Sequence, residues 1–261
     1  MLGKLLKHEL KATGRLLLPL FLILAVLTVM NRIVSYLDIF KGVLSVIPGL
    51  IIFAYTISII AVFVVTSVLI IYRFYKNLMT DEGYLMFTLP AKTRELIDSK
   101  LIISFLWSLV SIAAVILSLI VVFSGYSYYP DMKHALAMLF RELASSLGNY
   151  ATLFYVELIV MTLLSIINST LMIYVSIAIG QLINGHKIIG SIGAYIGLST
   201  VLQVLSVALM AIANLAFGNT FQDITSVPRI IFPFSLAFQL VTSIAFYLGT
   251  DFLFKRKLNL E

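Results

Sequence analysis

The chain has 261 residues, 61% of them hydrophobic and only 11% charged, with a net charge of +6. Soluble domains run at about 45–50% apolar and about 25% charged, so a mean hydropathy of +1.07 excludes an ordinary soluble globule, a disordered chain and a coiled coil. The absence of cysteine excludes a disulfide framework and a thiolate metal site.

A helix crossing about 30 Å of hydrocarbon needs about 20 mainly apolar residues. Six stretches qualify: Leu16 to Leu37, Val43 to Tyr72, Leu101 to Phe123, Tyr150 to Ile179, Ile188 to Phe217, and Ile230 to Phe254. All are too long and continuous for barrel strands of about 10 alternating residues. The expected fold is all-α: one transmembrane domain over residues 1–261, with six transmembrane helices. Pro19, Pro48 and Pro233 fall near the starts of spans, where a missing N–H costs least.

Residues 1–15 precede the first span. Leu2, Leu5, Leu6 and Leu10 share one helical face and Lys4, Lys7, His8 and Lys11 the other. This pattern predicts an amphipathic helix lying in the membrane interface, cations toward anionic headgroups. A basic topogenic leader without fixed structure is the alternative. No A-x-A-like site follows the first apolar run and five more spans come after it, so the run is expected to be retained as a helix.

The connection 73–100 between the second and third spans reads RFYKNLMTDEGYLMFTLPAKTRELIDSK. It is longer than a simple helical hairpin needs. Tyr84, Leu85, Met86, Phe87 and Leu89 form an apolar cluster. Thr80, Asp81 and Glu82 precede it as capping and dipole-favouring residues, and Pro90 stops it. These residues predict a short helix of about two turns with an apolar face. Such a face suits a protein contact; the alternative is packing back onto the bilayer surface. Thr93 is expected to cap the next helix, with Glu95 and Asp98 in its first turns.

The connection 124–149 holds the tyrosines 126, 128 and 129, which suit a headgroup belt. Its Leu136, Leu139, Phe140 and Leu143 are spaced for an amphipathic helix on the outer surface. Glu157, in the fourth span, is the one acid well inside a predicted span. An intramembrane carboxylate is a candidate cargo or polar site; hydrogen bonding to nearby Ser, Thr or Asn, or snorkelling, is the alternative. In the fifth span Gly190, Gly193 and Gly197 give a small-residue face for close helix packing, including packing across a dimer. Asp251, near the end of the sixth span, precedes Lys255 by four residues, the spacing of an interfacial ion pair.

Thirteen of the eighteen basic residues precede the first span, follow the sixth, or lie in the second-to-third and fourth-to-fifth connections. The positive-inside bias then predicts both termini in the cytoplasm. The same bias accounts for the basic charge without invoking nucleic acid. The chain holds no G-x-x-x-x-G-K-[ST], no H-E-x-x-H and no G-x-S-x-G, and so lacks the sequence marks of a P-loop, a zincin or a hydrolase elbow. His8, His134 and His186 fall in three separate segments and predict no shared metal site. The expectation is a non-enzymatic membrane subunit driven from elsewhere.

The stretch YKNLMTDEGYLMFTLPAKTRELIDSKL resembles the first cytoplasmic loop of bacterial six-helix ABC transporter permeases of the second exporter type. Those of Firmicutes that export peptides, antibiotics or other amphipaths are the most similar. The resemblance implies a coupling helix carrying Asp81, Glu82, Tyr84, Leu85, Met86, Phe87 and Leu89, docked in a separate ATP-binding cassette ATPase subunit. It implies a second permease copy, identical or homologous, with the first and fifth spans lining the seam. It implies no cofactor in this chain, ATP and Mg on the partner, surrounding membrane lipids, and a bacterial plasma-membrane location. Hydrophobic or peptide cargo would leave between the two copies. Two other classes stay open: a sensor or scaffold that signals peptide or antibiotic stress, and a secondary carrier using Glu157.

Overall fold

The computed structural model describes residues 2–37, 46–79, 92–124, 126, 129–183, 185–218 and 223–256. Among them the chain is helical and no strand occurs. The α-helices are α1 Leu2–Leu37, α2 Val46–Met79, α3 Thr93–Phe123, α4 Tyr129–Leu147, α5 Ala151–Gly180, α6 Lys187–Phe217 and α7 Phe232–Arg256. A 3-10 turn, Gly148–Tyr150, joins α4 to α5, and a π-helical turn, Val227–Ile231, leads into α7. Six helical stretches are long and apolar enough to cross a membrane, beginning at Leu2, Val46, Thr93, Tyr129, Lys187 and Val227. The protein is a multi-pass membrane protein.

The first helix differs from the expectation in one respect. It is continuous from Leu2 through Leu37, so residues 2–14 are its opening turns and Pro19 lies inside it. The physical reason is that nothing between Lys11 and Leu16 breaks a helix: ATGR offers one glycine, whose cost of about 1 kcal/mol packing overrides. Gly14 is buried, and a Cβ there would meet the Trp107 ring at 3.5 Å. The helix α3 also starts one residue from expectation. Thr93 is its first residue, and the Glu95 carboxylate accepts from the Lys92 N–H at 3.4 Å.

The contacts divide the chain into two compact units. One comprises Met1–Arg73 and Asp98–Ala137, the other Phe74–Ile97 and Met138–Glu261.

In the first unit α1 buries Glu9, Thr13, Leu17, Leu24, Thr28 and Asn31, a stripe at steps of three, four and seven residues. Leu24 packs with Tyr55, Val62, Val115 and Val122, and Leu17 with Leu69, Ile103 and Trp107. Hydroxyls are placed along the same seams. Tyr55 and Ser118 share a hydrogen bond of 3.0 Å, as do Thr66 and Ser111. On α3 the buried serines 104, 111 and 118 recur every seven residues, so small polar side chains hold one line between apolar neighbours. In lipid, apolar surface gives helices no reason to prefer each other over the bilayer. Close packing and these hydrogen bonds, each worth about 0.6 kcal/mol and at most about 1.7, supply the preference.

In the second unit α5 is the central helix, packed on α6 and on α7. Its stretch from Thr170 to Ala178 is almost wholly buried. The turn from α5 to α6 is tight. A Cβ on Gly180 would overlap the Ser191 backbone, and Gly185 adopts φ +89°, which only glycine takes cheaply. Asn168 on α5 donates to the Gln239 carbonyl and to the hydroxyls of Thr242 and Ser243 on α7, at 3.2, 2.8 and 2.9 Å. Phe154 stacks on Phe232, and Val175 lies against Gly249. These three contact levels keep the same order along both helices, so α5 and α7 run parallel.

Candidate functional site

Glu9 organises the polar chemistry of the first unit. Its Oε1 accepts from Lys100 Nζ at 2.8 Å, and its Oε2 accepts from Arg73 Nε at 3.0 Å and Nη2 at 2.9 Å. The Glu9 and Lys100 side chains are 5% and 4% exposed, so water does little to screen the pair. One turn on, Thr13 Oγ1 accepts from Trp107 Nε1 at 2.6 Å and donates to the Glu9 backbone carbonyl at 2.8 Å. Arg73 and Lys100 stand at the two roots of the connection 73–100, and one carboxylate fixes both.

Sequence reasoning missed Glu9. The signal was present: it is the one acid among five basic or histidine side chains between Lys4 and Arg15. A lone acid in a cationic helix invites a search for distant bases.

In the second unit two further arrangements hold residues of the same connection. Phe74 is fully buried and stacks on Tyr174 with ring centroids 3.7 Å apart, and on Phe254 at 5.9 Å. Arg94 Nε donates to Asp251 Oδ2 at 3.0 Å, and Lys255 Nζ to the same oxygen at 2.7 Å. The Asp251–Lys255 spacing was readable in the sequence; the Arg94 partner, 157 residues away, was not.

The residues expected to form the coupling helix, Asp81, Glu82, Tyr84, Leu85, Met86, Phe87 and Leu89, lie outside the described residues. Glu157 sits in the second turn of α5, 8% exposed, with its Oε2 buried and without a hydrogen-bond partner among the described residues. Of the three glycines on α6, Gly190 is covered within the chain: a Cβ there would meet Ile183 and the Gly180 carbonyl. A Cβ on Gly193 or Gly197 would meet no atom of the described residues within 4 Å beyond its own stretch of helix. The apolar side chains along α6, from Ile188 to Leu215, are largely exposed, as lipid permits.

No family model matches the chain, and neither a curated protein nor a solved structure matches it.

Proposed function

We propose that the chain is the membrane-spanning subunit of an ATP-driven ABC exporter in a bacterial plasma membrane, with both termini in the cytoplasm. The observation that carries the reading is the connection 73–100. Its sequence resembles a permease coupling loop, and its roots are held by buried side chains: Arg73 and Lys100 by Glu9, Phe74 by Tyr174. A loop that receives force from another polypeptide needs such footing, because a pliant root would dissipate the movement before it reached the spans.

On this reading Asp81 to Leu89 dock in the ATPase, and ATP and Mg are bound there, not in this chain. ATP supplies the differential binding energy that populates the outward state. Two copies of the chain flank hydrophobic, amphipathic or peptide cargo, with Gly193 and Gly197 available at the seam. The chain itself catalyses no reaction and binds no nucleic acid.

The test is purification in mild detergent with identification of the bound partner. An ATP-binding cassette protein should co-elute, and Tyr84→Asp or Phe87→Asp should abolish its capture and the stimulation of its ATPase by cargo. Retention of complex and transport by both variants would refute the docking assignment. A second reading, a secondary carrier, is favoured by Glu157, whose buried Oε2 has no hydrogen-bond partner among the described residues. It requires transport that survives ATP depletion and disappears in Glu157→Gln.

A further inference from the structure

The face of α5 that meets α7 is identified by its contacts. Phe154 stacks on Phe232 with centroids 5.3 Å apart, and Asn168 bonds Thr242 and Ser243. Glu157 follows Phe154 by three residues, about 60° short of a turn, and precedes Asn168 by eleven, about three turns, so it belongs to that face. Tyr150, seven residues earlier, tops the same face, and Arg229 covers its ring at 5.3 Å. Among the described residues Glu157 has no ion-pair partner, and the other charges on the three packed helices stand toward their far ends: Lys187 on α6, and Asp251, Lys255 and Arg256 on α7.

Two acceptors on this seam lack donors among the described residues. One is Glu157 Oε2; the other is the side-chain oxygen of Gln239, also buried and unpartnered. At about 1.5 Å per residue, Gln239 lies about 6 Å deeper along the helices than Glu157. A carboxyl oxygen buried among apolar groups without a partner is costly, and two such acceptors in line describe a place short of a cationic donor. One carboxylate and one amide oxygen are too few for a hard metal ion, which takes six or more oxygens. Aromatic rings and an apolar wall suit an organic cation instead.

We propose that Glu157, with the Phe154–Phe232 pair and the Gln239 side chain, forms an intramembrane receptor for a hydrophobic ammonium or guanidinium group. Glu157 neutralises the charge, the ring pair packs the hydrocarbon, and Gln239 accepts a deeper donor from the same ligand. Treating that cation as the head of the exported cargo rests on the exporter proposal; the binding does not.

The test is equilibrium dialysis of 1-adamantylammonium against the full chain in nanodiscs, with uncharged 1-adamantanol and empty nanodiscs as controls. The wild type should bind the ammonium saturably and at least about tenfold more tightly than the alcohol. Glu157→Gln should erase that preference while keeping the wild-type elution and melting temperature, and Glu157→Asp should retain it within about threefold. Absence of saturable binding by the wild type, or equal binding by Glu157→Gln, overturns the proposal. If Glu157→Gln does not fold, Gln239→Leu decides: it should weaken the ammonium at least about threefold, and unchanged binding counts against the site. Capture of an ATPase should be unaffected by Glu157→Gln, so failure of cation binding and failure of the exporter reading are separate results.

Discussion

Glu9 and Lys100 are 91 residues apart in sequence and form a buried ion pair of 2.8 Å. Arg73 completes a triad on the same carboxylate, with its own side chain 16% exposed. Desolvating three charges is expensive, and geometry offsets the cost only while all three are present. Breaking such a cluster leaves an uncompensated buried charge, at about 3–5 kcal/mol. Glu9→Ala should therefore lower stability by about that amount in a thermal or denaturant titration in detergent. The double change Glu9→Leu, Lys100→Met should recover much of the loss. A Glu9→Ala loss no larger than that of the exposed Lys4→Ala would show that the cluster holds nothing.

Asp251 offers a contrast. It is buried, but its partners Arg94 and Lys255 are 58% and 47% exposed. Water can solvate both bases when the acid is removed. Asp251→Asn should cost about 1 kcal/mol or less, near the range of surface pairs. A loss as large as that of Glu9→Ala would mean that exposure of the bases does not govern the cost.

Trp107 is the one tryptophan in the chain, so its emission reports one place. Its indole N–H is buried against the Thr13 hydroxyl. Thr13→Val keeps the shape and removes the acceptor, leaving the donor unsatisfied at about 1–3 kcal/mol. The expected signs are a shifted emission maximum and a lowered melting temperature. Unchanged emission would place the N–H in another hydrogen bond.

The glycines of the α5–α6 hairpin should separate folding from association. Gly180→Ala pushes a Cβ into Ser191 backbone atoms that cannot swing aside, and should destabilise the chain and reduce its yield. Gly193→Ile and Gly197→Ile face open space within the chain and should leave the melting temperature unchanged. If α6 lines a seam with a second copy, the same two changes should convert dimers to monomers by light scattering. Dimers that persist would exclude this face.

The six spans were legible because crossing a bilayer is a one-dimensional requirement: enough consecutive apolar residues to match the hydrocarbon thickness. The Asp251–Lys255 pair was legible for a similar reason, since four residues along a helix always bring side chains together. The continuity of α1 was not, because a basic, amphipathic opening and an apolar span look like two elements when only composition is compared. What sets the difference is packing: Thr13 and Gly14 lie against Trp107 and carry the helix through.

Sequence alone thus determined the solvent of this protein, its helical class and the six stretches long and apolar enough to cross a membrane. Tertiary structure decided which face of each helix turns inward and which distant partners meet: Glu9 with Arg73 and Lys100, Phe74 with Tyr174, Asn168 with Thr242 and Ser243. The reason is physical. In water, polar and apolar faces mark outside and inside, whereas in lipid both sides of a helix are apolar and the pattern carries little contrast. Only close packing and a few buried hydrogen bonds and ion pairs then select the partners, and those act between residues that the sequence holds far apart.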